Sequence, residues 1–180
     1  MMKIVKYGDP VLRAKGLPVQ EIDDDIKAFA EAMLETMYEA NGVGLAAQQV
    51  GKAWQLAVVD VADAEERPSR MWIDGEETDL ANHMPLVMIN PEIEPLGERE
   101  IGLEGCLSFP DITADISRPA KVKVKATNLE GQPIQFEADG LLSRAVQHEY
   151  DHLQGILFVD RMNSATKASL AGRLKRMAKR

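Results

Sequence analysis

The segment from His148 to His152 reads His-Glu-Tyr-Asp-His, and it restricts the fold more than any other part of the sequence. We expect it to lie on a helix that begins after Gly140 and ends at Gly155. At about 100° per residue, the two histidines lie about 40° apart and one turn along, so both imidazoles can reach a single ion. Glu149 flanks this pair, where its carboxylate can take up a proton. The segment therefore predicts a metal site on a helix.

The helix supplies only two ligands, and the third has to come from elsewhere in the chain. No Glu follows Glu149, and Phe158 stands where a longer zinc-peptidase motif places its third histidine. Two upstream candidates remain, Cys106 and His83. A lone cysteine is more often a buried hydrophobic residue, but the need for a third ligand favours Cys106. His83 lies in a polar stretch, which favours a solvated loop residue.

Hydrophobic periodicity predicts helices towards both ends of the chain and strands between them. An apolar stripe with helical spacing runs through residues 23–40, and a final helix is expected from Ser164 onward. Short apolar runs at 56–59 and 86–89 predict buried strands, and residues 121–138 predict a hairpin.

A polar and acidic stretch without a clear period, residues 62–85, is expected to form a long inserted surface loop. Strands enclosed between helices indicate the α+β class. We therefore expect a single domain over residues 1–180, with antiparallel or mixed strands packed around the helix at 139–155.

Composition restricts the class of protein further. No stretch approaches the ~18–20 consecutive apolar residues of a membrane span, and the first residues lack the apolar run of an export signal. We therefore expect a cytoplasmic protein without a membrane partner.

The single cysteine excludes an internal disulfide. Seven of the 21 Lys and Arg residues lie within residues 161–180, so the rest of the chain is strongly acidic and unsuited as a whole to binding nucleic acid.

A glycine-rich loop at residues 42–47 matches the G-x-G-x-x-A pattern of dinucleotide-binding proteins, and Asp60 follows at about the expected distance. That pattern has to follow a strand and open a helix. Here it follows the helix that ends near Ala40, and Gly51 interrupts any helix after it. We therefore expect no nucleotide cofactor. The better interpretation is an extended loop whose backbone pairs with a peptide-like ligand, with Gln49 as an amide donor.

Three segments taken together resemble the motifs of the bacterial-type peptide deformylases. They are residues 42–49 (GVGLAAQQ), 104–108 (EGCLS) and 147–152 (QHEYDH). The likeness extends from Tyr7 to Asp160, which is nearly the whole chain. The resemblance implies an α+β fold with strands around the metal-binding helix. It also implies hydrolysis of the formyl group from the N-terminal methionine of newly made proteins, with release of formate.

The same resemblance implies a metal centre with defined ligands. It makes Cys106, His148 and His152 the ligands of one divalent ion, and Glu149 the general acid and base. Members of the family favour Fe²⁺ and often stay active with Ni²⁺, Co²⁺ or Zn²⁺.

The resemblance further implies how a formylated peptide is bound. Gln49 and the backbone N–H of Leu107 would form the oxyanion hole. The implied substrate-binding residues are Val43, Gly44 and Gly105, which would pair with the substrate backbone, and Leu141, Ala145 and His148, which would help to wall the methionine pocket.

The basic C-terminal segment, residues 164–180, has two interpretations. Cations near the end of a helix complement its macrodipole, and this alone explains many basic ends. Since the implied substrate emerges from a ribosome, a basic helix could also hold the enzyme there by counterion release.

Two departures and two alternative functions remain. Gln48 stands where similar sequences commonly have Pro or Thr, and residues 62–85 look longer than in the shorter bacterial members. A general metallopeptidase would share the metal-binding helix but should lack the cysteine-bearing segment. A non-catalytic protein with a structural metal would need a fourth protein ligand, such as His83.

Overall fold

The computed structural model describes residues 1–179 of the chain. Within them lie three α-helices, α1 (Asp24–Glu39), α2 (Gly140–Leu153) and α3 (Ser164–Ala178). Short 3₁₀ turns lie at Pro10–Arg13, Ala47–Val50, Leu80–His83 and Phe158–Arg161. All three helices occupy the segments in which the sequence predicts helices.

Seven strands form one sheet in the order β1-β2-β5-β6-β7-β3-β4. They are β1 (Gly44–Ala46), β2 (Leu56–Val59), β3 (Met71–Ile73), β4 (Glu76–Thr78), β5 (Leu86–Gly105), β6 (Thr113–Thr127) and β7 (Pro133–Ala138). Every pair of neighbouring strands is antiparallel. The predicted α+β class is confirmed, and the predicted hairpin is formed by the end of β6 together with β7.

Strands β5 and β6 are much longer than the sequence predicts. Only residues 86–89 of β5 pair with β2, and the rest of the strand pairs with β6 alone. Much of this part is exposed, so it lacks the apolar pattern of a buried strand. Opposite charges face each other across it instead, with Glu92 opposite Lys125 and Glu94 opposite Lys123. These charge pairs are visible only once the register is known.

The segment at residues 62–85 is not a surface loop throughout, which corrects the expectation from its polarity. It contains the short hairpin β3–β4, and β3 pairs with β7, placing Met71 opposite Ala138. Met71 is only 2% exposed and packs in the core. Since a three-residue strand contributes so few core positions, its segment shows no hydrophobic period.

Helix α2 lies at the centre of the fold and packs against β1, β2 and β6. Its apolar face, which includes Leu142, Val146 and Leu153, is fully buried. Helix α1 covers β1 and β2 with Ile26, Ala30 and other residues of its predicted stripe. This arrangement places the polar face of α2, which carries the two histidines, among strands rather than in solvent.

Helix α3 is capped by Asn163, one residue before the predicted Ser164, because the Asn163 side chain accepts a hydrogen bond from the N–H of Thr166 at 2.8 Å. Leu174 is buried against a cluster that includes Leu12 and Phe158. Among residues 1–179, no helix combines the length and the hydropathy that crossing a membrane requires.

Candidate active site

Cys106, His148 and His152 converge on one point in the structure. One ligand atom from each residue can be chosen so that the three atoms lie within 4.8 Å of one another. Cys106 Sγ lies 3.4 Å from His152 Nε2. The histidines lie one turn apart on α2, and Cys106 follows the end of β5. His83 is elsewhere, with its Nε2 atom 3.0 Å from Thr78 Oγ1. The geometry thus favours Cys106 over His83 as the partner of the two histidines.

Glu104 orients the imidazole of His148 through its Nδ1 atom. Its Oε1 atom lies 2.9 Å from His148 Nδ1, so a proton on this nitrogen is donated to the carboxylate and Nε2 is left for a ligand. Arg118 Nε donates to Glu104 at 2.6 Å and Arg144 Nη1 donates at 2.8 Å. Burial raises the pKa of the Glu104 carboxyl, but hydrogen bonds from His148 and Arg118 hold it well below its usual value. The carboxylate therefore stays charged and keeps its hold on the imidazole.

The same ionic cluster continues to Asp151, which lies within the His-Glu-Tyr-Asp-His segment. Arg118 Nη1 donates to Asp151 at 2.9 Å, and Arg161 Nη2 donates to its other oxygen at 2.9 Å. Sequence reasoning missed this cluster. One signal was present, because Arg118 occupies an inward position of β6, in phase with buried Ile116. A charge at such a position requires buried partners.

Glu149 is buried beside the histidines, with only 4% of its surface exposed. Its Oε1 atom has no hydrogen-bond partner among the described residues. Burial raises the pKa of Glu149 to about 7, although the charge of His148 acts in the opposite direction. A carboxyl with this pKa can both accept and return a proton near neutral pH.

The side chain of Gln49 lies next to Cys106. Its Oε1 atom accepts a hydrogen bond from the N–H of Ala46 at 3.0 Å, which fixes the orientation of the amide. Its Nε2 atom then lies 3.5 Å from Cys106 Sγ and donates to Ser108 Oγ at 3.2 Å. The amide donor is thus held next to the candidate metal site. The glycine-rich loop forms β1 rather than a turn that opens a helix.

Cys106, His148, Glu149 and Gln49 line one cleft of about 490 Å³. The five residues predicted to bind substrate all lie on its wall: Val43, Gly44, Gly105, Leu141 and Ala145. Leu107 lines the same cleft, which therefore combines apolar side chains with polar and charged groups.

The donor set fits a divalent transition metal. One thiolate and two imidazoles suit Fe²⁺, Co²⁺, Ni²⁺ and Zn²⁺ better than the oxygen-seeking Mg²⁺ or Ca²⁺. Three protein ligands leave a coordination position open, which is typical of catalytic sites. Glu149, whose Oε1 atom has no hydrogen-bond partner among the described residues, also lines the cleft.

The sequence profile of the family described as polypeptide deformylase matches residues 1–168. The chain belongs to the polypeptide deformylase family. A peptide deformylase of Methylacidiphilum infernorum is 46% identical over 177 residues, which cover 98% of this chain and 93% of the relative.

Solved deformylase structures share the fold. The peptide deformylase of Thermotoga maritima has a TM-score of 0.77 at 40% identity, over 91% of this chain and 98% of that one. The enzyme of Synechococcus elongatus, solved in complex with actinonin, has a TM-score of 0.79 at 40% identity, over 95% of this chain and 85% of that one.

Family membership confirms the resemblance on which the sequence prediction depends. Deformylases are enzymes that remove N-formyl groups, and the family is metal-dependent. The possible metal site at Cys106, His148 and His152 agrees with that dependence.

Proposed function

We propose that this chain removes the formyl group from formylmethionyl peptides, with a single ion held by Cys106, His148 and His152. The observation that carries the proposal is the convergence of these three ligand atoms beside the buried carboxylate of Glu149. Fe²⁺ is the proposed ion because the family resemblance implies it, with Ni²⁺, Co²⁺ or Zn²⁺ as substitutes. The proposed substrates are nascent chains in the cytoplasm.

When bound, the ion supplies Lewis acidity, which polarises the formyl oxygen and can lower the pKa of a water molecule to ~7. Glu149 accepts the proton of the attacking water. It later returns this proton to the amine of the departing peptide. Its burial and its raised pKa support both steps, because the carboxyl changes its protonation state readily near neutral pH.

The negative charge that develops on the formyl oxygen needs hydrogen-bond donors. We assign this role to the Gln49 amide and the N–H of Leu107. The bond from Ala46 to Gln49 Oε1 supports the assignment, because it turns the Nε2 donor towards the cysteine. Removal of one such donor typically costs about 3–4 kcal/mol of transition-state stabilisation.

The methionine side chain and the peptide backbone occupy the rest of the cleft. Leu141 and Ala145 offer apolar surface beside His148, which suits a methionine side chain. Val43, Gly44 and Gly105 also line the cleft, which suits pairing of their backbone with an extended peptide.

The test is an assay of formate release on anaerobically purified protein with its metal content measured. We expect release from a formylmethionyl peptide and no cleavage of the same peptide without the formyl group. Cleavage of the unformylated peptide would instead support a general metallopeptidase. Stoichiometric metal without formate release would support a structural metal site.

A further inference from the structure

Arg67 lies on the wall of the active-site cleft, although it belongs to the segment that the sequence predicts as a plain surface loop. Its side chain is exposed and forms no hydrogen bond or ion pair with any residue of the range 1–179. Asp63, Glu65 and Glu66 precede it, and none of these carboxylates pairs with it. The guanidinium of this cleft-lining residue therefore has its donors unused.

The segment around Arg67 is anchored rather than free. Ser69 Oγ accepts a hydrogen bond from the N–H of Leu142 at 2.8 Å, which ties the segment to the first turn of α2. Arg70 Nη2 forms an ion pair of 2.7 Å with Asp139, directly before that helix. These contacts fix the chain two and three residues after Arg67 against the helix that carries the metal-binding histidines. The position of Arg67 at the cleft is therefore part of the fold.

The other cations of the cleft already donate hydrogen bonds, whereas the carboxylate of Asp111, which also lines the cleft, has no partner among the described residues. Arg144 donates to Glu104 at 2.8 Å, and Lys6 Nζ donates to the carbonyl oxygen of Leu107 at 3.2 Å. Glu149 is assigned to proton transfer. Among the described residues, Arg67 is the cation of the cleft whose side chain donates no hydrogen bond.

We propose that Arg67 is a specificity determinant that binds the carboxylate of an Asp or Glu side chain within the first few residues after formylmethionine. The inference rests on the proposed function. That function places the formyl group at the metal site, so the residues that follow formylmethionine extend out of the cleft along its exposed wall. A planar guanidinium with free donors matches a carboxylate in two parallel hydrogen bonds. The pair is exposed, so its effect is modest.

The test compares formylmethionyl peptides that carry Glu or the isosteric Gln at the second, third or fourth residue. The peptides are amidated at the C-terminus, so the side chain is their only carboxylate; matched free acids show how much a terminal carboxylate contributes. For the wild-type enzyme at low salt, we expect kcat/KM to favour Glu over Gln about two- to five-fold at one of these positions. High salt should reduce this ratio.

Three variants assign the preference to Arg67. Arg67→Gln should bring the Glu-to-Gln ratio close to one, and Arg67→Lys should keep part of it. Arg99→Gln is the matched control, because Arg99 is exposed on strand β5 and should leave the ratio unchanged. A wild-type ratio of one at all three positions, or a ratio that survives Arg67→Gln, would overturn the inference. Failure to turn over either member of a pair would instead overturn the proposed function, and the inference with it.

Discussion

The carboxylate of Glu149 lies where a side chain on Gly44 would have to be: a Cβ atom built on Gly44 would stand 2.5 Å from Glu149 Oε2. Real Cβ atoms essentially never approach so closely. Strand β1 and helix α2 are therefore as near to each other as a glycine permits. The glycine-rich loop thus has a structural reason that is independent of nucleotide binding, because it makes room for the buried carboxylate.

Gly44→Ala should displace the Glu149 carboxylate and lower kcat for formate release by about 100-fold, since a shift of about 1 Å at a reacting group can cost this much. Metal content should not change, because the atoms nearest to a Cβ on Gly44 belong to Glu149 and not to a metal ligand. Gly172→Ala, on exposed helix α3, is the control and should keep normal activity. Normal kcat in Gly44→Ala would show that the close approach has no catalytic consequence.

Glu149→Gln should retain the metal and lose about 10²–10⁴-fold in kcat, because the amide cannot carry the proton. Metal analysis and formate release measured on the same preparation separate the two effects. Glu130→Gln, in the exposed turn before β7, is the matched control. Near-normal turnover in Glu149→Gln would reject Glu149 as the proton carrier.

Cys106→Ser should weaken metal binding or change which metal is retained, because a hydroxyl is a harder and poorer ligand than a thiolate. His83→Ala should have no such effect, because His83 lies beside Thr78 and away from the two histidines of α2. Metal retention after dialysis against a chelator distinguishes the variants. The reverse pattern, with loss of metal only in His83→Ala, would contradict the assignment of Cys106.

Glu104→Gln should lower the free energy of unfolding by about 3–5 kcal/mol at neutral pH, because it leaves Arg144 buried without its counter-charge and removes one of the two carboxylates that pair with Arg118. The pKa of Glu104 is lower in the folded protein than the ~4.3 of an unfolded Glu, so its charge stabilises the fold above that pH. This stabilisation is lost as the pH falls towards the folded-state pKa.

Urea denaturation of the metal-loaded enzyme across the acidic range tests this dependence. The difference between wild type and Glu104→Gln should shrink as the pH is lowered below about 4. Glu94→Gln, at an exposed position of β5, should match wild type at neutral pH. A difference that stays constant with pH would mean that the charge of Glu104 is not what stabilises the fold.

The basic helix α3 is better tested by charge than by deletion. Leu174 is buried, and Leu170 and Met177 pack against the same cluster, so removal of residues 164–180 would expose part of the core. Neutralising four exposed cations to Gln avoids this problem: Lys167, Lys175, Arg176 and Lys179.

If α3 binds ribosomes, this fourfold variant should co-sediment with them less at low salt, and wild-type binding should weaken steeply as salt rises. Formate release from a short peptide should not change. The control neutralises four exposed lysines elsewhere, at positions 15, 27, 52 and 125. Equal loss of sedimentation in both variants would leave α3 without a specific role at the ribosome.

What the sequence determined by itself was local. The spacing of His148 and His152 places both side chains on one face of the helix, because the helix repeats every 3.6 residues. The capping residue and apolar stripe of α1 likewise act within a few turns of chain. The segment at 104–108 pointed to Cys106 only through its resemblance to a family. Composition and these patterns together gave the class of fold and the family.

Only the tertiary structure decided which distant residues meet. Arg118 joins Glu104 to Asp151 across three separate elements, and the hydrophobic periodicity of a single segment does not indicate such a contact. Arg67 reaches the cleft because Ser69 caps α2. Side-chain contacts of this kind depend on the register of β5 with β6 and on the packing of α2 against the sheet. Both are set by the burial of the whole core, so they cannot be inferred from any single segment.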